Sequence, residues 1–186
     1  MRWRPWLAIG LLAGCTQADA PDDDLQAIHP PEIARIASAG EALAGAHVPT
    51  LDPSTLNDAE IAKSLKKGPR CDFRYTTAGA PVLAVRMEPK GAAVSAIVKL
   101  NGHLVPLEPA PIESSSGPGD RLLIVSEPVR IVVQPDPAAP KSARPGIQRR
   151  EADMIFEVGK MLRAGYRGYL DCALEPPTQA LGHKSG

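Results

Sequence analysis

Aromatic side chains are scarce in this chain of 186 residues: 4%, made up of two Trp, three Tyr and two Phe. So little aromatic bulk limits the core to aliphatic packing of modest depth. Net charge is missing too, with 21 basic residues against 21 acidic ones. No electrostatic field draws the chain to nucleic acid, and no nucleic-acid partner is expected. The four histidines, His29, His47, His103 and His183, are scattered. None lies at i+3 or i+4 from another His, a Cys or a paired carboxylate set, so no metal ligand set is expected. No P-loop or dinucleotide fingerprint is present, and no cofactor is expected. Ser114-Ser115-Ser116-Gly117 is not a Gly-x-Ser-x-Gly elbow, and no strand directly precedes it to aim a nucleophile. The one apolar run near the start, Trp6–Ala13, is too short to span a bilayer.

What stands at the start is a positive beginning (Arg2, Arg4), that short apolar core, and small residues before Cys15. This is the build of a secretory signal over 1–14. Leu12-Ala13-Gly14-Cys15 resembles the lipobox of bacterial lipoproteins. The resemblance implies that the Cys15 thiol is diacylated, that signal peptidase II cuts before it, and that Cys15 is the first mature residue. Each buried CH₂ contributes about 0.8 kcal/mol, and two or more chains hold a protein stably at a membrane. Thr16 stands where aspartate tends to retain such proteins at the inner membrane. The resemblance therefore implies the outer membrane, facing the periplasm.

Residues 15–31 carry Asp22-Asp23-Asp24 and no apolar period, and read as a lipidated tether. Helical spacing of Ile33, Ile36, Ala37, Gly40 and Leu43 predicts a helix over 32–44. A second is predicted over 57–67, opened by Asn57 with Glu60 three residues on and closed by Lys66-Lys67-Gly68-Pro69. Both are small and alanine-rich, so the 32–69 segment is expected to pack on a sheet. From Cys71 onward the period becomes alternating. Asn101-Gly102 predicts a two-residue turn that pairs Leu100 with His103, Val98 with Val105 and Ala96 with Leu107. Apolar runs 122–125 and 129–133 follow a Ser/Gly/Pro loop at 108–120. A mobile loop is predicted over 134–147. Alternation over 151–158 and from Leu162 to Cys172 predicts two last strands, with a flexible tail over 174–186. The fold class is α+β: two short N-terminal helices followed by a small antiparallel β-barrel or sandwich over 70–173.

With Cys15 acylated, Cys71 and Cys172 remain, on the inward faces of the first and last strands of that β-domain. In an oxidising compartment they are expected to pair, the alternative being two separately buried thiols. A second resemblance is to the MliC-like inhibitors of C-type lysozyme. These lipid-anchored barrels have a first-to-last-strand disulfide and insert a Ser-Gly loop into the lysozyme cleft with help from a basic residue. The resemblance assigns Ser114, Ser115, Ser116 and Gly117 to the loop and Arg130 to the basic residue. It covers about 71–172. It lacks the aromatic residue expected after the loop, and two helices precede the barrel. The reading is a non-catalytic envelope binding or structural module, anchored to the membrane by acyl chains and engaging an envelope protein or cell-wall partner. Lysozyme inhibition is the alternative. An envelope hydrolase is a further one, for which carboxylates such as Asp72, Glu88, Glu108, Asp120 and Asp171 would have to meet.

Overall fold

The computed structural model describes residues 32–89, 91–111, 121–139, 142–144 and 146–173, with the side chains of 142–144 left aside. The signal and tether with Cys15, the Ser114–Gly117 loop and the 174–186 tail lie outside the described residues. Ile33–Gly186 forms one compact unit, distinct from Met1–Glu32.

The fold is mostly antiparallel β with two short helices, and ten strands form one sheet. In chain order they are β1 (Arg35–Ile36), β2 (Arg70–Arg74), β3 (Leu83–Met87), β4 (Ala93–Leu100), β5 (His103–Pro109), β6 (Leu122–Ser126), β7 (Val129–Pro135), β8 (Ser142–Arg144), β9 (Ile147–Val158) and β10 (Leu162–Ala173). Helix α1 is Ala39–Leu43 and α2 is Asp58–Ser64. Eight strands close a barrel in the order β5-β4-β3-β2-β10-β9-β7-β6, with β6 returning to β5. Full closure leaves no long unpaired edge around the ring. The two extra strands cover what remains. β1 runs parallel to the start of β5, and β8 pairs with the start of β9, ahead of where β7 takes over.

Alternation puts one face of each of the eight barrel strands inside. Phe73, Leu83, Val85, Met87, Val98, Leu100, Val105, Leu107, Ile124, Ile131, Met154 and Phe156 are all buried there. An eight-stranded barrel is just wide enough for such side chains to fill it. Asn101 (φ 47°) and Gly102 (φ 74°) both adopt left-handed backbone, as a type I′ turn requires. The register beside them is the one the sequence predicts, with Leu100 opposite His103 and Ala96 opposite Leu107. Gly168 on β10 is needed for a different reason. A Cβ there would overlap the Arg74 carbonyl oxygen and come 2.8 Å from Phe73 Cζ.

A second apolar layer lies outside the barrel. Leu56, Ile61 and Leu65, in and around α2, cover Ala84, Ile97 and Leu104 on the outer face of β3, β4 and β5. α2 starts as its sequence predicts: Asn57 Oδ1 accepts from the Glu60 amide at 2.8 Å, and Glu60 Oε2 accepts from the Asn57 amide at 2.9 Å. Glu60 is buried, and Lys99 Nζ donates to both its oxygens at 3.0 and 2.9 Å. Burial pushes that carboxyl up, but the Asn57 and Ala34 amides and Lys99 outweigh it and hold it below its usual 4.5.

Three expectations need correction. The helix predicted over 32–44 is only five residues long, because Arg35 and Ile36 bind β5 as a strand; Ile33 and Ile36 are exposed. The helix starts instead at a capping box of Ser38 and Glu41. α2 ends at Ser64, with Leu65 as its C-cap in extended backbone, so Lys66 and Lys67 lie beyond the helix. The 134–147 loop also contains structure: β7 continues to Pro135, and residues 142–144 pair with β9. These short pairings carry no hydrophobic period, so the pattern did not announce them.

Candidate functional site

The sheet's first and last barrel strands meet along β2 and β10, and their seam is fastened on both faces. Inside, Cys71 lies opposite Cys172, and the two form a disulfide with S–S 2.03 Å. One residue along, on the outer face, Asp72 lies opposite Asp171. Two like charges directly opposite repel, so this pairing needs compensation. Three arginines supply it. Arg70 reaches Asp72 with Nε at 2.8 Å and donates from Nη2 at 3.0 Å. Arg149 grips Asp171 with two donated bonds of 2.6 Å. Arg74 sits between the carboxylates, Nη2 3.4 Å from Asp72 and Nε 3.3 Å from Asp171. Tyr169 lies under the Arg149 guanidinium at 5.5 Å. Burial pushes the Asp72 carboxyl above its usual value despite Arg70 and Arg74.

Two of the carboxylates singled out in the sequence therefore do meet. They meet enclosed by guanidinium groups at ion-pair distance, with Asp72 Oδ1 and Arg74 Nε buried and making no hydrogen bond, which makes them a clamp rather than an acid–base pair open to a substrate.

Beside this clamp is a cavity of about 250 Å³, lined by Asp58, Ile61, Ala62, Leu65, Lys66, Lys67, Gly68, Arg70 and Arg86. One wall is the face of α2 carrying Asp58 and Ile61, spaced as helical neighbours, continued by Leu65 at its C-cap. The other is the outer face of β2 and β3, where Arg70 lies opposite Arg86. The 66–69 connection is held to β3 by the Met87 amide, which donates to the Pro69 carbonyl at 2.8 Å. In the sequence, Lys66 and Lys67 mark only the close of the helix predicted over 57–67. Arg70 and Arg86 were invisible as a pair until strand register put them side by side.

The remaining candidates fall elsewhere. Arg130 on β7 donates to Glu157 Oε2 at 3.0 Å and is half exposed. It pairs with Val125 on β6, whereas Leu122 at the start of β6 pairs with Val133, further along the hairpin. His103 opens β5 at the Asn101-Gly102 turn, its Nδ1 2.8 Å from the Asn101 carbonyl and its Nε2 3.2 Å from Arg35. A single strand, β6, lies between the strands that carry His103 and Arg130, and each residue sits next to its own turn. Among the described residues no group of three His, Cys, Asp or Glu is placed to hold a metal ion, and no helix is long and apolar enough to cross a membrane.

Fold and site together define a disulfide-closed antiparallel barrel with a charged outer wall and a helix laid across one side. The chain belongs to the family described as a domain of unknown function, DUF6692, whose model matches residues 11–175. That match takes in Leu12-Ala13-Gly14-Cys15 as well as the whole barrel. No curated protein and no solved structure matches the chain.

Proposed function

We propose that this protein is a lipid-anchored, non-catalytic binding module of the bacterial envelope, tethered at Cys15 on the periplasmic face of the outer membrane. The observation that carries the reading is the polarity of the barrel. Ile33 enters beside β1, whose Arg35 lies opposite His103, at the end that also holds the turns at 101–102, 127–128 and 159–161. Those three turns are short, and the β2–β3 connection over 75–82 shares their end. The two longest connections, from β5 to β6 and from β7 to β9, leave from the other end together with the short one over 88–92. Long connections on a closed, rigid ring are the segments best placed to meet a partner. The barrel interior is filled with side chains, so a partner would be engaged from outside.

The test is photocrosslinking of the full chain in intact cells, with the crosslinker at exposed Ala138 on the long-loop end or at exposed Lys160 on the short-turn end. The expected result is a discrete envelope protein or cell-wall adduct from Ala138 and none from Lys160. No adduct from either position above a mock lipoprotein would overturn the reading.

Inhibition of C-type lysozyme is a second reading, favoured by one observation: the disulfide joins the first and last strands of a closed barrel. Arg130 would have to leave Glu157 to take part. The purified chain should then slow C-type lysozyme, and Ser115→Ala or Ser116→Ala should relieve that. No inhibition at micromolar excess ends this reading.

A further inference from the structure

The cavity between α2 and the β2–β3 wall has a charge balance that the fold alone does not require. Lys66, Lys67, Arg70 and Arg86 line it against one carboxylate, Asp58. Among the described residues, Lys66, Lys67 and Arg86 take part in no ion pair. A helix C-terminus offers roughly half a negative charge, which one nearby cation satisfies. Two consecutive lysines and two cross-strand arginines exceed that need, and like charges directly opposite on a sheet are destabilising. Arg70 spends Nε and Nη2 on Asp72. Its Nη1 is left over, and the clamp holds the guanidinium in a fixed orientation. Ile61 and Leu65, both buried, back the cavity with apolar surface that strengthens any charge-assisted bond made there.

We propose that this cavity binds a phosphate group, held by Lys66 and Lys67 from the helix side and by Arg70 and Arg86 from the sheet side. A tetrahedral phosphate offers oxygens in several directions and can be met from both walls at once. A planar carboxylate offers only two oxygens, in one plane. Arginine matches phosphate with paired donors, and lysine adds compact charge. The cavity, at about 250 Å³, has room for the phosphate and part of whatever carries it. Asp72 is a positioning residue here, acting through Arg70. The proposal does not depend on the anchor or on the partner proposed above, so either can fail alone.

The test is calorimetric titration of the full chain, purified in a phosphate-free nonionic detergent, with three probes: inorganic phosphate, dihexanoyl phosphatidylglycerol, and acetate. Saturable binding of either phosphate probe supports the site. The tighter of the two distinguishes a free phosphate from a lipid headgroup. Losing one charge-assisted contact in Arg86→Ala should weaken binding about tenfold or more. Lys66→Ala/Lys67→Ala changes only exposed side chains, so it keeps the test alive if Arg86→Ala does not fold. Asp58→Asn should tighten binding, and Arg163→Ala, on the far hairpin, should leave it unchanged. The proposal is overturned if neither phosphate probe binds, if acetate binds as tightly, or if the lysine variant binds like the unaltered chain while its melting temperature shows it folded.

Discussion

Glu60 is the residue on which the outer layer turns. It closes the capping box of α2, ties Ala34 to the helix and neutralises Lys99, all while buried. Removing one partner of a buried ion pair strands the other, so Glu60→Ala should destabilise the protein by about 3 kcal/mol in urea unfolding. Because the folded state holds Glu60 below its usual 4.5, its contribution is present above that pH and lost as pH falls through the lower folded value. A Glu60→Gln protein should therefore lose part of the acid sensitivity between pH 4.5 and the start of acid unfolding. Asp72 works with the opposite sign. Burial raises its carboxyl above the usual 3.8, so the stability linked to its protonation is present at low pH and is lost as pH rises through the raised value. Gly168 is a steric requirement: Gly168→Ala would push a methyl group into the Arg74 carbonyl, a rigid backbone atom. We expect it to cost about 2–3 kcal/mol, from overpacking, in the same assay.

Among the elements, the β2–β10 seam is held by a disulfide inside and the arginine–aspartate clamp outside, while closure on the other side rests, among the described residues, on two register pairs between β5 and β6 and the Ala110 amide donating to the Leu123 carbonyl. The Cys71→Ala/Cys172→Ala protein should lose about 2–5 kcal/mol by urea unfolding, given a loop of 101 residues. Hydrogen exchange should be slowest on β9 and β10 and fastest along β5–β6, since opening the two-pair seam disturbs the least structure. Most of these elements were legible from residue type. Alternation marked β2 to β5, β9 and β10, apolar runs marked β6 and β7, Asn101-Gly102 fixed a register, and Asn57 with Glu60 marked a helix start. Short pairings were not legible, because β1 and β8 are held by backbone hydrogen bonds at positions with no apolar period. Ser38-x-x-Glu41 was a signature in plain view, and the apolar spacing of Ile33 and Ile36 pulled the predicted helix past it. The site was less legible still. Asp72 facing Asp171 and Arg70 facing Arg86 are consequences of register between strands, which no local pattern encodes.

At the scale of the whole molecule, the barrel is a closed, filled body whose two longest connections, from β5 to β6 and from β7 to β9, leave from the same end. The proposed lipid anchor at Cys15 is separated from that body by the 16–31 segment of the sequence. Cys15→Ser should move the protein from the membrane pellet to the soluble envelope fraction, with the barrel's melting temperature unchanged. The most direct measurement is the intact mass of the mature N-terminal peptide recovered from the cell envelope. The expected result is a peptide that begins at Cys15 and carries a diacylglyceryl group, with or without a further N-acyl chain. A mature N-terminus at any other residue, or an unmodified Cys15, would contradict the proposed anchor.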